Sequence, residues 1–364
     1  MVTPSRITLA RKRRGLTLAE LSGRAGVSLQ SLSNYETGRA APRSDTLCKI
    51  ASALDFPANF FGGPALDELP AEGISWRARS KTSARILEAA RAAGALGAML
   101  YDWIDERFRL PLADVPSLGK PDPETAAGMV RTRWGLGEAP APNMVHLLEA
   151  HGVRVFSLDP EHAEVDAFAV WRDGVPFVFL NTLKSAERGR FDAAHELGHL
   201  VMHGSEHACS GPEAERQANE FASAFLMPRS SVLGHMPAGA HIDQILRGKQ
   251  IWNVSAMALT YRMHDLGLLS DWQYRSTCTE LSRLGYRSGE PQGMGQRETS
   301  QVLTKVFAAL RSKRIRASSV AAELGLTSDE MNRLLFGLTL TTVVGDGQGA
   351  AAAERSFSIV PSQP

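Results

Sequence analysis

The chain has 364 residues, of which 43% are hydrophobic and 22% are charged, and its formal net charge is +1. This composition excludes an intrinsically disordered protein, and the length predicts roughly two or three domains. No run of about 18 apolar residues occurs and the N-terminus is basic, so we expect neither a membrane span nor a signal peptide. The cysteines Cys48, Cys209 and Cys278 are widely spaced, which predicts a reducing, cytoplasmic location.

The first 65 residues have the pattern of a small helical domain. A basic helix over residues 6–14 ends at Gly15, and Thr17 with Glu20 forms a capping box for the next helix. Ser28 is a suitable N-cap for a further helix that runs to Glu36. The region holds nine basic against four acidic residues, which is the local excess that a module binding a polyanion needs.

Residues 4–62 resemble the Xre/Cro repressor family through T-L-A-E-L-S, A-G-V-S, S-L-S-N-Y-E-T-G-R and P-R-S-D-T-L. The resemblance implies a five-helix domain whose second motif helix enters the major groove of a double-stranded DNA operator. Because such domains commonly bind as pairs, we expect a homodimer. A protein-interaction domain that has lost DNA binding is the alternative.

Two sets of side chains in this domain are candidates for DNA contacts. Short polar groups near the start of the second motif helix can bond base edges, and these are Ser28, Gln30, Ser31 and Asn34. Basic side chains can hold phosphates without reading sequence, and these are Arg13, Arg14, Arg39 and Arg43.

Residues 195–199 read H-E-x-x-H. On a helix this spacing places His195 and His199 on one face, where both imidazoles can ligate one metal ion. Glu196 lies beside them and is placed to take a proton from a metal-bound water. The pattern predicts a zinc site, with Mn²⁺ as the alternative metal.

A second helix, over residues 213–228, is expected to supply the third metal ligand. Small residues share a face with Glu215 at helical spacing, namely Ala218, Asn219 and Ala222. They would let this helix approach the H-E-x-x-H helix closely, so the geometry favours Glu215 as the ligand. Glu213 and Glu220 are the competing candidates.

Residues 142–228 resemble the ImmA/IrrE metallopeptidases, which are gluzincin-like zinc proteases. The resemblance rests on F-D-A-A-H-E-L-G-H-L at 191–200 and on the E-x-x-A-N-x-F-A and L-M-P runs within 215–228. It implies that His195, His199 and Glu215 bind the metal and that Glu196 is the catalytic base. It also implies cleavage of a transcriptional repressor, the activity of known relatives.

The remaining elements complete a multidomain protein that is mainly α-helical with a small mixed sheet. A strand near 152–158 and a hairpin over 167–181 precede the H-E-x-x-H helix. Their edge could hold an extended substrate by strand addition.

We divide the chain into a helix-turn-helix domain (1–65), a helical connector (66–123), a metallopeptidase domain (124–270), a helical C-terminal region (271–345) and a flexible tail (346–364). The C-terminal region includes a candidate second helix-turn-helix-like hairpin, with Thr327 and Glu330 as a capping box.

Three functional hypotheses follow from these patterns. In the first, a DNA-bound regulator carries a zinc endopeptidase that cleaves a regulatory protein, either itself near residue 65 or a partner repressor. In the second, the metallopeptidase-like domain senses a metal or ligand and never cleaves. In the third, the chain belongs to a toxin–antitoxin or phage-defence system, in which the N-terminal domain represses its own operon.

Overall fold

The computed structural model describes residues 2–69, 75–78, 82–119, 122–159, 164–204 and 211–339. Cys209 and the tail predicted over residues 346–364 lie outside them. The described helices are α1 (Pro4–Arg13), α2 (Leu18–Ala25), α3 (Leu29–Glu36), α4 (Ser44–Leu54), α5 (Ala84–Asp105), α6 (Pro123–Arg133), α7 (Met144–Ala150), α8 (Ala186–Met202), α9 (Pro212–Leu226), α10 (Arg229–His235), α11 (Ile242–Trp252), α12 (Ala256–Asp265), α13 (Asp271–Arg283), α14 (Gln301–Ser312), α15 (Ala317–Glu323) and α16 (Ser328–Leu335). None of these helices combines the length and apolar character that crossing a membrane requires.

The N-terminal domain consists of α1 to α4 and a 3₁₀ helix, Ala58–Gly62, which confirms the predicted five-helix domain. The capping box between Thr17 and Glu20 is formed, and Gly26 ends α2 in the left-handed region with φ 62°. Ser28 accepts a hydrogen bond from the backbone N–H of Ser31 and so starts α3. These local signals set the turn between the two motif helices.

A four-stranded mixed sheet has the order β1-β3-β4-β2, with strands β1 (Ser75–Ala78), β2 (Arg154–Ser157), β3 (Val165–Arg172) and β4 (Val175–Leu180). The predicted hairpin is confirmed: β3 and β4 pair in antiparallel register. Their turn uses Asp173 and Gly174, both with positive φ, as a tight two-residue hairpin turn requires. Strand β2 is parallel to β4, and β1 pairs antiparallel with β3.

Helices cover both faces of the sheet. On one face α5 approaches so closely that a Cβ on Gly97 would lie 2.9 Å from the ring of Phe179. On the other face α8 runs alongside β3. Near the start of α8, Lys184 is ion-paired to Asp166 on β3. At its end, the indole of Trp171 on β3 donates a hydrogen bond to the Leu200 carbonyl. The middle of α8 therefore lies beside the middle of β3.

The C-terminal helices pack back onto the N-terminal domain. Gly325, in the turn between α15 and α16, has φ 69°, and a Cβ there would lie 2.9 Å from Cα of Phe60 in the 3₁₀ helix. Helix α16 also contacts β2 and α5. Most buried apolar residues belong to one continuous cluster that extends from Ile7 to Leu338, and Ala256, Leu281 and Tyr286 form a second, smaller one. The N-terminal helices, the sheet and the C-terminal hairpin therefore share a core.

Candidate metal centre

Helix α8 carries the H-E-x-x-H sequence beside the sheet. It begins after Ser185, whose hydroxyl caps the first turn, and ends at His203. The four-residue spacing puts His195 and His199 on one face, and their Nε2 atoms are 3.0 Å apart. Both imidazoles and the adjacent Glu196 are buried, with Glu196 fully enclosed.

Helix α9 brings the third donor to this pair. Glu215 Oε2 lies 3.4 Å from His195 Nε2, and Glu215 Oε1 lies 3.3 Å from His199 Nε2. One ligand atom from each of the three residues falls within 4.8 Å of the others. Glu215, which is 16 residues from His199 and 20 from His195 in sequence, thus meets both histidines at one point between two helices.

Small residues let the two helices come this close. Ala218 and Ala222 are fully buried on α9, and a Cβ on Gly198 of α8 would lie only 3.0 Å from the ring of Phe221. A Cβ at the fourth position of the motif would therefore require the Phe221 side chain to shift by a few tenths of an ångström. The competing glutamates are both paired with Arg216 rather than with the histidines, and these are Glu213 and Glu220.

The geometry of the three donors fits a four-coordinate metal. Ligands at about 2.0–2.2 Å from a tetrahedral zinc are about 3.3 Å apart. The two Nε2 atoms are 3.0 Å apart, and each lies 3.3 or 3.4 Å from a different oxygen of Glu215. The donor set of two imidazoles and one carboxylate leaves a fourth position for water or substrate. The remaining ring nitrogens also have partners: His195 Nδ1 lies 3.1 Å from Asn219 Oδ1, and His199 Nδ1 lies 3.1 Å from His203 Nδ1.

The carboxyl group of Glu215 favours its ionised form at this position. Burial opposes ionisation, but hydrogen bonds and the positive potential from His195 and His199 outweigh it and hold the pKa of Glu215 well below its usual range. An ionised carboxylate is the form that ligates a metal. The site is therefore electrostatically prepared for a cation.

A cavity of about 800 Å³ adjoins the centre. Asn219 lines this cavity, and its Oδ1 accepts a hydrogen bond from Nδ1 of His195, so it links the two. Apolar walls come from Phe191, Met257 and Tyr261, and a charged rim includes Arg188. The volume is large enough for the side chains of a short peptide segment.

The polar residues predicted for base contact lie at and after the start of α3. Ser28 and Gln30 are exposed, whereas Ser31 and Asn34 are half-buried. Gln30 Nε2 donates to Asn34 Oδ1 over 3.2 Å, one helical turn away. The predicted phosphate-contacting residues Arg39 and Arg43 are also exposed.

The prediction that Arg13 and Arg14 contact phosphates is wrong. Arg13 is buried and pairs with Asp159 at 2.6 Å and with Glu330 at 2.5 Å. Arg14 pairs with the other oxygen of Glu330 at 2.7 Å, and Arg333 pairs with Asp159 at 2.9 Å. The five residues, called here the ion cluster, join α1, α16 and the segment after β2. Glu330 consequently does not complete a capping box with Thr327, although the Thr327 hydroxyl still caps α16.

Comparisons with known proteins match both regions. The family model described as Helix-turn-helix matches residues 7–61, and that of the IrrE N-terminal-like domain, a peptidase family, matches residues 148–264. The transcriptional regulator ClgR from two strains of Mycobacterium tuberculosis is 36% identical over 109 residues, which are 30% of this chain and 84% of that regulator. The chain belongs to the Xre/Cro-type helix-turn-helix regulators and carries an ImmA/IrrE-type domain. The regulator is thus a DNA-binding protein with a metallopeptidase-like fold and a possible His/Glu metal site.

Two further residues belong to the regulator's centre without being predicted as metal ligands. His203 is a further four residues along α8 from His199, and the repeated spacing was a signal that would have placed it on the same face. Gln217 of α9 contacts His203 Nε2 at 2.9 Å. No local pattern marks this glutamine, because its position depends on how α9 packs against α8.

Proposed function

We propose that this regulator is a zinc-dependent endopeptidase that cleaves a regulatory protein, either a partner repressor or its own chain. The observation that carries the proposal is the donor set of the buried His195 and His199 and the half-buried Glu215, with Glu196 enclosed beside it on α8. The match to a peptidase family over residues 148–264 supports the same conclusion. Mn²⁺ satisfies the same donors less specifically, because imidazole nitrogen suits zinc better.

Each residue of the centre has a distinct role in this proposal. The Nε2 atoms of His195 and His199 and the carboxylate of Glu215 hold the metal. A bound zinc ion supplies Lewis acidity that lowers the pKa of a water and polarises the scissile carbonyl. Glu196 takes the proton from the attacking water and passes it to the leaving amine. Its burial excludes bulk water, which would otherwise compete for that proton.

Metal content and proteolysis measured on one preparation test the proposal. We expect Glu196→Gln to keep its zinc and to lose cleavage by about 10²–10⁴-fold, the usual contribution of a general base. Fragments of regulatory proteins encoded beside this gene, and of the chain itself, would be identified by mass spectrometry. Glu220→Gln, a change on the same helix as Glu215 but outside the donor set, is the matched control and should cleave normally.

The outcomes separate the candidate functions. Cleavage by the wild type and by the control, but not by Glu196→Gln, supports the endopeptidase. Zinc in every preparation without cleavage favours a sensor that binds metal and does not cut. Wild-type protein that binds no metal overturns the metal centre.

One structural observation favours the sensor as the second candidate. Strand addition of a substrate requires a free sheet edge near the catalytic helix, and α8 runs alongside β3. That edge of β3 is already paired with β1, from Ser75 opposite Ala169 to Ala78 opposite Val165. A peptide could join β3 only after β1 leaves, so an enzyme that binds its substrate at this edge of β3 would be latent in this state.

The DNA-binding part of the proposal places a homodimer on a double-stranded operator. Ser28, Gln30, Ser31 and Asn34 would contact base edges, and Arg39 and Arg43 would contact phosphates. The exposure of Gln30, Arg39 and Arg43 supports these roles. We keep the division into domains at residues 65, 123, 270 and 345 as part of this proposal.

A further inference from the structure

Helix α8 presents a third histidine behind the two proposed ligands. His203 occupies the C-cap of α8 and is 7% exposed. Its Nδ1 lies 3.1 Å from Nδ1 of His199. Two ring nitrogens at this distance can share only one hydrogen, so one must donate and the other must accept.

The direction of that hydrogen bond is set from α9. The side-chain N–H of Gln217 donates to Glu213 Oε1 over 2.9 Å, which fixes the orientation of the Gln217 amide. Its Oε1 therefore faces Nε2 of His203, at 2.9 Å. A carbonyl oxygen only accepts, so Nε2 of His203 carries the hydrogen.

The tautomer of His199 follows from the tautomer of His203. With its hydrogen on Nε2, a neutral His203 has a lone pair on Nδ1 and accepts from the N–H at Nδ1 of His199. His199 then has its lone pair on Nε2, the atom that lies 3.3 Å from Glu215 Oε1. This is the lone pair that a metal needs.

A shorter chain of the same kind holds His195. Asn219 Nδ2 donates to the Glu215 carbonyl over 2.8 Å, so Oδ1 of Asn219 faces Nδ1 of His195 at 3.1 Å. His195 therefore also presents the lone pair on Nε2. Helix α9 thus orients both imidazoles through side-chain amides, directly for His195 and through His203 for His199.

We propose that His203 is a positioning residue that fixes His199 in the Nδ1–H tautomer and that Gln217 orients His203 for this purpose. The inference deepens the proposed metallopeptidase function and rests on its metal site. Partners of ligating histidines normally raise metal affinity by about 10–100-fold. In this protein the partner of His199 is another imidazole, which can serve only while its own tautomer is held by Gln217.

Variants of the full chain distinguish a His203 that orients His199 from a His203 that only fills space in the core. His203→Phe keeps the ring volume and removes the acceptor, so zinc affinity should fall by about 10–100-fold. His203→Asn retains an acceptor oxygen near the position of Nδ1 and should recover most of that loss. Gln217→Leu should weaken zinc binding, whereas Gln217→Glu, which keeps the acceptor oxygen, should not. Affinity is measured by equilibrium competition with a chromophoric chelator.

A second readout works without catalysis. Long-range ¹H–¹⁵N correlation spectra of zinc-loaded protein with labelled histidine report the hydrogen on Nδ1 of His199 and how fast it exchanges with water. We expect a slowly exchanging Nδ1–H in the wild type and in His203→Asn, and a rapidly exchanging one in His203→Phe and Gln217→Leu. His235→Phe is the control. His235 is another histidine near a helix end, and its Nδ1 contacts the backbone carbonyl of Ser231 while its ring packs on Trp252, away from the centre.

The two readouts make every outcome decisive. Wild-type zinc affinity and an unchanged exchange rate of the His199 Nδ1–H in His203→Phe would overturn the proposal. If the wild type binds zinc but cleaves no protein, the endopeptidase fails and the positioning role is still tested by affinity and by exchange. If the wild type binds no metal, the metal site and the positioning role both fail. Should His203→Phe fail to fold by circular dichroism, His203→Asn and the two Gln217 variants carry the same comparison.

Discussion

Side chains on and beside α3 fall into two chemical classes, and each class is expected to contact a different part of DNA. Gln30 is an exposed amide on α3, whereas Arg39 is an exposed cation beyond its end. Gln30→Ala should lower affinity for the cognate operator by about 1–3 kcal/mol and leave affinity for scrambled DNA unchanged. Arg39→Ala should weaken both equally and reduce the slope of log affinity against log salt by about one.

Fluorescence anisotropy over a salt series checks these two expectations. The operator is first selected from random DNA with the wild-type protein, and both variants are then titrated against it and a scrambled duplex. An equal loss on both duplexes for Gln30→Ala would place Gln30 outside the base-reading set. No loss for either variant would favour the alternative of a protein-interaction domain.

At the scale of elements, strand β1 is the feature that most affects access to the centre. Replacing residues 75–78 with a Gly-Ser-Gly-Ser segment should free the edge of β3, because glycine weakens strand pairing. If the endopeptidase proposal holds, cleavage of an added protein substrate should rise on the order of tenfold as the open state becomes populated. Comparison with the same replacement combined with Glu196→Gln shows that any gain comes from the centre.

Hydrogen exchange gives a control that does not depend on cleavage. Backbone amides of β3 should lose protection at the stretch paired with β1, residues 165–169, whereas β4 should keep its protection through β2 and β3. If the amides of β3 lose protection but cleavage is not faster, the substrate does not bind at this edge of β3. Unchanged protection would mean that β1 leaves the edge readily even in the wild type.

What the sequence predicts at this scale depends on the range of the interactions. The Thr17–Glu20 capping box, the hairpin turn at Asp173 and the i, i+4 histidines are set within a few residues, and each was predictable. Glu215 was predictable because the small residues around it specify which face of α9 meets α8. The pairing of β1 with β3 was not, since a four-residue strand carries no distinctive pattern and its partner lies about 90 residues away.

At the scale of the whole molecule, the ion pairs of the ion cluster connect the N-terminal helix α1 to helix α16 and to the segment after β2. The pKa of Arg13 is raised: burial opposes its charge, but the charges of Glu330 and Asp159 prevail. Arg13 was misassigned to DNA because its partners lie 146 and 317 residues away in sequence. Without knowledge of these distant partners, a basic helix in a DNA-binding domain is interpreted as one whose side chains contact phosphates.

Glu330→Gln should therefore destabilise the protein, because it leaves Arg13 and Arg14 with one fewer counter-charge. Removing one partner of a buried ion pair costs about 3–5 kcal/mol, and for a chain of this length we expect the midpoint of thermal unfolding to fall by about 4–7 °C. Glu323→Gln removes the exposed ion pair with Arg107 and should cost less than about 1 kcal/mol. Equal midpoints for the two variants, measured by differential scanning calorimetry, would show that the ion cluster does not hold the parts together.

The position of α5 has a consequence for how such a protein can be divided or recombined. The helix lies before the region that matches the peptidase family, yet it packs closely against Phe156, Phe168 and Phe179 of the sheet. A gene segment limited to residues 148–264 would encode a sheet with an uncovered row of aromatic side chains, a surface prone to aggregation. The unit that can be inherited, shuffled or transplanted therefore includes the segment between the two matched regions, and the boundary of sequence similarity is not the boundary of folding.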